Sequence, residues 1–197
     1  MNLSERVKAI LFRPKQEWPV IATEPMDVSG LYKEYILILA AIGPVASIIG
    51  MSIVGVSIPM VGTFRVPFGT ALISAIVRYI LSLVSVYVVA LIINALAPSF
   101  SGEKNQLQAF KVATYSSTPI WVVGILSLIP ALGGLQILGL YSIYLLYLGL
   151  PVLMKSPKEK SIGYTVVVVI VTIVIWLIIG VISSAFISYP GVRLSKV

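Results

Sequence analysis

The residue types best suited to binding chemistry form one polar cluster inside an apolar run, Tyr115-Ser116-Ser117-Thr118-Pro119. Pro119 lacks a backbone donor and clashes with the carbonyl of the residue four positions earlier, which is Tyr115. We therefore expect a distorted helix between Tyr115 and Pro119. Two uses of the neighbouring hydroxyl groups are open: they satisfy the freed backbone of their own turn, or they bind a polar ligand.

Arg78 is a second candidate, because it lies inside the long apolar stretch 68–96. If a helix begins at Phe68, Arg78 lies roughly 14 Å along it, close to the middle of a ~30 Å hydrocarbon core. At that depth a guanidinium costs about 2.5–3.5 kcal/mol and needs partners, either hydroxyls, carbonyls near Pro119, or an anion such as a lipid phosphate. In the alternative, residues 68–77 lie at the outer surface and Arg78 reaches the lipid headgroups.

A tyrosine series adds a third candidate, with Tyr144 as its central member between Tyr141 and Tyr147. The three-residue spacing places these rings on roughly one side of a helix. Such tyrosines serve either in packing and interfacial anchoring or as part of a ligand cage.

Catalytic chemistry lacks its usual side chains. The chain contains no histidine and no cysteine, and its apolar runs contain no Asp or Glu. Intramembrane proteolysis by carboxylates, metal-assisted hydrolysis and buried proton relays all require such groups. We therefore expect no enzymatic activity, no cofactor and no metal site.

Composition indicates a membrane protein. The chain has 197 residues, of which 58% are hydrophobic and 11% charged, and its mean hydropathy is +1.04. Soluble domains carry about 25% charged residues, so this chain has too few to cover a water-facing surface. The net charge of +7 arises from bases that flank apolar runs. That arrangement suits anionic headgroups and not nucleic acid.

The hydropathy pattern predicts an all-α fold, a polytopic five-helix transmembrane bundle with a short amphipathic helix at the N-terminus. A polar segment occupies residues 1–34, the membrane domain residues 35–187, and an external tail residues 188–197. The expected spans are about 35–53, 68–96, 112–130, 135–154 and 164–186. The glycine- and proline-rich stretch 54–67 reads as an extended connector.

The front segment begins with apolar residues at helical spacing, namely Leu3, Val7, Ile10 and Leu11. This amphipathic helix either lies in the headgroup plane or packs on the protein's own cytoplasmic ends. We expect Trp18 at headgroup depth. The acidic residues of the segment are expected on a solvated face, at Glu5, Glu17, Glu24, Asp27 and Glu34.

The distribution of positive charge predicts the orientation. Ten of the fourteen lysines and arginines lie before the first span, between the second and third, or between the fourth and fifth. The positive-inside rule therefore places the N-terminus in the cytoplasm and the C-terminus outside. If the 112–154 hairpin dips into the membrane and returns, both of its ends remain cytoplasmic.

The chain also resembles a bacterial member of the Yip family, the Ypt/Rab-interacting proteins, along nearly its whole length. The resemblance lies in Pro14-x-x-x-Trp18-x-x-Ile21-x-x-Glu24, in 109–119 (AFKVATYSSTP), in Leu-Gly-Gly-Leu at 132–135 and in 144–151 (YLLYLGLP). It implies a five-helix bundle with a cytoplasmic N-terminus. Of the Asp-Leu-Tyr-Gly-Pro motif of eukaryotic members, residues 30–34 keep only Leu31 and Tyr32. No Rab GTPase partner is expected in a bacterium.

The resemblance favours a non-enzymatic protein of the bacterial inner membrane that organises membrane lipids, copies of itself or other membrane proteins. The alternative is a small transporter or channel for a polar or anionic solute, with a path bordered by Arg78, Ser116, Ser117 and the tyrosines. The first function requires an interaction surface, and the second requires a continuous polar cavity through the bundle.

We predict the topology of reporter fusions. Fusions after residue 30, within 97–110 and at 156–160 should report a cytoplasmic location, because these segments carry most of the positive charge. Fusions near residue 60 and at residue 197 should report an external one. A cytoplasmic C-terminus would show that one of the expected spans does not cross the membrane.

Overall fold

Two short helices at the N-terminus form a helical hairpin. The computed structural model describes residues 2–58 and 62–186. Helix α1 (Leu3–Phe12) begins with a capping box, in which the Asn2 side chain accepts a hydrogen bond from the Glu5 amide and the Glu5 carboxylate accepts one from the Asn2 amide. Helix α2 (Pro14–Thr23) has its proline at the first helical position, where no amide donor is needed.

This front hairpin, α1 and α2, packs on the protein itself. Ile10, Trp18 and Ile21 are all 0% exposed. The Trp18 ring fills a site that Gly149 leaves open, since a Cβ at position 149 would lie 2.7 Å from the ring. Trp18 therefore packs inside the bundle, where a glycine provides a slot for the ring, and its expected headgroup depth stays a prediction. Of the two placements open for the amphipathic helix, the structure has the packed one.

The next helix, α3 (Val28–Val54), contacts the segment around Ser127 through small residues. It contains π-helical turns at Tyr32–Ile36 and Gly50–Val54. A Cβ on Gly50 would lie 2.0 Å from the Ser127 carbonyl oxygen, so the two backbones are in direct contact. Ala46 is buried on the same helix. The small residues Ala46 and Gly50 allow this close approach.

Residues 54–67 contain a small antiparallel hairpin within the expected connector. Strands β1 (Val56–Ile58) and β2 (Gly62–Phe64) pair with Val56 opposite Phe64. Helix α4 (Phe68–Leu96) follows and has the bounds expected for the second span.

The expected third span is a broken helix. Helix α5 (Gln106–Ser116) is capped by Asn105 at its N-terminus. Helix α6 (Thr118–Val123) follows, with only Ser117 between the two helices. A 3-10 segment, Gly124–Leu128, follows. The distortion expected between Tyr115 and Pro119 is confirmed, and its cause is the amide that Pro119 lacks.

The second half of the 112–154 hairpin starts as a long 3-10 segment, Pro130–Leu140, and continues as helix α7 (Tyr141–Leu153). Helix α8 (Ser161–Phe186) packs against α4 and α7. Tyr164 of α8 is fully buried and stacks on Phe100 with ring centroids 4.7 Å apart.

The fold is that of an all-α membrane protein. Among the described residues, three helical stretches are long and apolar enough to cross a membrane, Val28–Val54, Phe68–Phe100 and Pro130–Leu153. The external tail expected at 188–197 lies outside the described residues.

Candidate functional site

A buried charge cluster, formed by Arg6, Glu17, Glu24 and Lys111, joins the front hairpin to α5. The Arg6 guanidinium donates one hydrogen bond to the Glu17 carboxylate and another to the Glu24 carboxylate. Arg6 and Glu17 are both buried. The solvated face expected for these two glutamates is therefore wrong, because each has a cationic partner inside the protein.

Lys111 closes the cluster from the side of α5. Its ammonium group donates hydrogen bonds of 2.8 Å to the Ile21 carbonyl and 2.7 Å to the Glu24 carbonyl. These carbonyls lie at the C-terminal end of α2, where a cation also complements the helix dipole. Burial lowers the pKa of Lys111, and the Glu24 carboxylate opposes that shift.

Two members of the polar cluster make contacts away from the groove, Tyr115 with the front hairpin and Thr118 with α3. The Arg6 guanidinium lies over the Tyr115 ring, 5.7 Å from its centroid. Tyr115 also meets Tyr35 edge-on with ring centroids 4.9 Å apart. The Thr118 hydroxyl shares a 2.8 Å hydrogen bond with the Tyr35 hydroxyl. Tyr115 and Thr118 thus fasten α5 and α6 to their neighbours.

The remaining hydroxyls of the polar cluster line a membrane-side groove, and we call its main part the large lobe. It encloses about 600 Å³ between α4, α5, α6, the Pro130–Leu140 segment, α7 and α8. Most of the lining is aliphatic. The polar lining residues are Ser82, Ser85, Ser116, Ser117, Gln136, Ser142 and Thr172.

Within this lobe the two uses expected for the hydroxyls are divided between neighbours. The Ser117 hydroxyl donates to the Ala113 carbonyl at 2.8 Å and so satisfies its own turn. Ser116 is 6% exposed, and its Oγ has no hydrogen-bond partner among the described residues. The buried Oγ of Ser142 is likewise unpartnered there. An unpaired buried hydroxyl is costly, so Ser116 and Ser142 are polar positions in the wall of the lobe that lack a partner among the described residues.

A small lobe of about 280 Å³ continues the groove and contains Arg78. The two lobes share part of their lining, namely Ser82, Ile120, Trp121, Gln136 and Gly139. Arg78 is exposed and forms no hydrogen bond or ion pair with any residue that the structure describes. The structure thus places the candidate Arg78 beside the lobe that holds Ser116 and Ser117.

The last two candidates lie apart from the groove. Tyr144 is 39% exposed, and its ring rests against Tyr141 with centroids 5.4 Å apart. Neither lobe is lined by Tyr144. Pro119 is buried at the start of α6. The expected candidate set is therefore divided among the charge cluster, the groove and an exposed tyrosine pair.

The charge cluster was missed by reasoning from the sequence, although a signal for it exists. Glu17, Ile21 and Glu24 have the spacing i, i+4, i+7, which places Glu17 and Ile21 on one face of α2 and Glu24 at its C-cap. An acidic pair that flanks a core isoleucine points inward, where it requires a cation.

Comparison with known proteins shows the family to which the chain belongs. The Yip1 domain model matches residues 8–179. The inner membrane protein YohC of Escherichia coli K12 is 26% identical over 163 residues, covering 81% of this chain and 84% of the relative. YohC of Escherichia coli O6:H1 gives the same values. No solved structure matches the chain.

We predict that Arg6→Gln releases the front hairpin. Removing one partner from a buried ion pair costs about 3–5 kcal/mol, because the remaining carboxylates stay buried without compensation. Amide exchange in residues 3–23 should accelerate by at least about 100-fold in hydrogen-exchange mass spectrometry, since every ~1.4 kcal/mol is a factor of ten. Lys8→Gln, which alters an exposed cation on the same helix, is the control and should leave exchange unchanged. Equal exchange in Arg6→Gln and the native protein would show that the cluster does not hold the hairpin.

Proposed function

Because the chain belongs to the Yip1 domain family, we propose that it is a non-enzymatic inner-membrane protein that organises membrane lipids and membrane-protein partners. The observation that carries the lipid part is the groove: an apolar lobe with the unpartnered hydroxyl of Ser116 inside it. Integral membrane character is supported independently by the apolar helices and by the inner-membrane relatives.

The proposed topology has five crossings with the N-terminus in the cytoplasm. Helices α3, α4 and α8 provide three of them. The third crossing is residues 112–130, which include the end of α5, α6 and the Gly124–Leu128 segment, and the fourth is the Pro130–Leu140 segment with α7. The distribution of lysine and arginine supports the cytoplasmic assignment of the front hairpin. With that orientation the charge cluster lies on the cytoplasmic side and the β1–β2 hairpin on the outer side.

The groove suits a lipid because of where it opens. Ile137, Leu140 and Ile173 belong to its lining, and each is more than half exposed at the surface of the bundle. An exposed aliphatic surface on a membrane helix faces hydrocarbon, so the natural occupant of the lobe is an acyl chain. The unpartnered hydroxyls can then bind ester or hydroxyl oxygens of the same molecule.

Transport of a polar solute would require polar groups along a whole path. The large lobe is predominantly aliphatic, and the polar atoms of Ser85, Ser117 and Thr172 already bond to backbone carbonyls. Within the described part of the chain, the charge cluster contributes no residue to either lobe. These features favour a lipid site over a solute path.

We predict that the protein purified in mild detergent retains membrane lipid. Native mass spectrometry should show at least one bound lipid, and Ser142→Trp should reduce the lipid-bound fraction several-fold by filling the large lobe. Val152→Trp is the control, since Val152 lies on the same helix and lines neither lobe.

The outcome depends on comparing these two variants at equal yield and equal elution volume. Unchanged lipid retention in Ser142→Trp, or no retained lipid in the native protein, would contradict the proposal.

A further inference from the structure

We propose that the groove selects a lipid with an anionic headgroup, whose anionic group binds Arg78 while its acyl chain occupies the large lobe. This inference rests on the lipid-organising function proposed above. It adds the chemical class of the lipid and the residue that binds its headgroup.

The first argument is the unbalanced charge. A guanidinium remains protonated in proteins, so Arg78 always carries its charge. No acidic residue lines either lobe in the part of the chain that the structure describes. A cation on a membrane helix is costly unless it finds a partner, and phosphate geometry matches the guanidinium fork. The missing counterion is therefore expected to come from the ligand.

The second argument is the path between Arg78 and the large lobe. Arg78, Ser82 and Ser85 follow the spacing i, i+4, i+7, so they form one stripe along α4. Ser82 lines both lobes. The stripe therefore leads from the cationic small lobe into the aliphatic one, as a molecule with a charged head and an apolar chain requires.

The third argument is the polarity of the small lobe. Besides Arg78, its lining includes the side chains of Ser47, Ser127 and Gln136. The Gln136 amide donates to the Ser127 hydroxyl at 3.1 Å, which leaves the Ser127 proton free for an acceptor. The Ser47 hydroxyl already donates to the Pro44 carbonyl at 2.8 Å, so Ser127 is the hydroxyl donor left beside the guanidinium for an anionic oxygen.

The size of the site is also suitable. The large lobe, at about 600 Å³, falls within the range of roughly 300–1,000 Å³ that is usual for organic ligands. The small lobe, at about 280 Å³, is an end compartment for a headgroup. The combination favours one amphipathic anion over a free inorganic ion, for which the aliphatic lobe would have no use.

The test uses the full chain in nanodiscs made from equal amounts of phosphatidylglycerol and phosphatidylethanolamine. Lipid that stays bound after transfer to mild detergent is identified by mass spectrometry. The native protein should be enriched about fivefold in phosphatidylglycerol, the ratio expected for one favourable charge contact. Arg78→Gln should bring the bound lipid to the composition of the bilayer while total retention persists.

Two further variants complete the experiment. Arg78→Lys should keep part of the enrichment, because the charge remains while the planar fork is lost. Arg65→Gln removes an exposed arginine outside both lobes and should behave as the native protein does.

The outcomes separate this inference from the proposed function. Retained lipid without enrichment in the native protein, or full enrichment in Arg78→Gln, would overturn the anionic selectivity alone. Absence of any retained lipid from the native protein would overturn the lipid function as well. The enrichment measured on the native protein requires no substitution, so it tests the inference even if a variant folds poorly.

Discussion

The helix break at Ser117 is the constraint on which the arrangement of the groove and the front hairpin depends. Pro119 has no amide to donate, and its ring cannot lie against the carbonyl four residues earlier. Helix α5 therefore ends at Ser116, and α6 starts at Thr118. Tyr115 at the end of α5 faces the front hairpin, while Thr118 at the start of α6 shares a hydrogen bond with Tyr35 of α3.

Helix α5, which ends at the break, holds the front hairpin in place. Lys111 caps the end of α2, while Tyr115 lies beneath the Arg6 guanidinium. A buried ion network is costly to desolvate, so each member depends on the others for compensation. Shape adds to this, since the Trp18 ring fits only because position 149 is glycine. Charge pairing and one glycine slot together fix where the hairpin docks.

Much of the fold follows from the sequence because the membrane imposes simple rules. Apolar length predicted α4, and the proline rule predicted the break before Pro119. The partners of an amphipathic helix follow no such rule, because periodicity shows an apolar face without showing what covers it.

For that reason the two glutamates were misplaced, although their cation, Arg6, lies on the same front hairpin. The slot that holds Trp18 is formed by Gly149 of α7, which is far away in the chain. The division of the polar cluster was also inaccessible from the sequence, because neighbouring residues of a helix point to different sides and only the packed structure shows what each hydroxyl meets. For Tyr144, the regular spacing correctly predicted a contact with Tyr141. The spacing could not show that this tyrosine lies outside the groove.

The most direct test of the groove is photo-crosslinking of lipid inside the membrane. A benzophenone amino acid at position 82, which lines both lobes, is compared with one at the exposed position 144. In membranes of phosphatidylglycerol and phosphatidylethanolamine, adducts from position 82 should be enriched in phosphatidylglycerol, whereas adducts from position 144 should match the bilayer. The same lipid composition at both positions, or no adduct at position 82, would contradict the account.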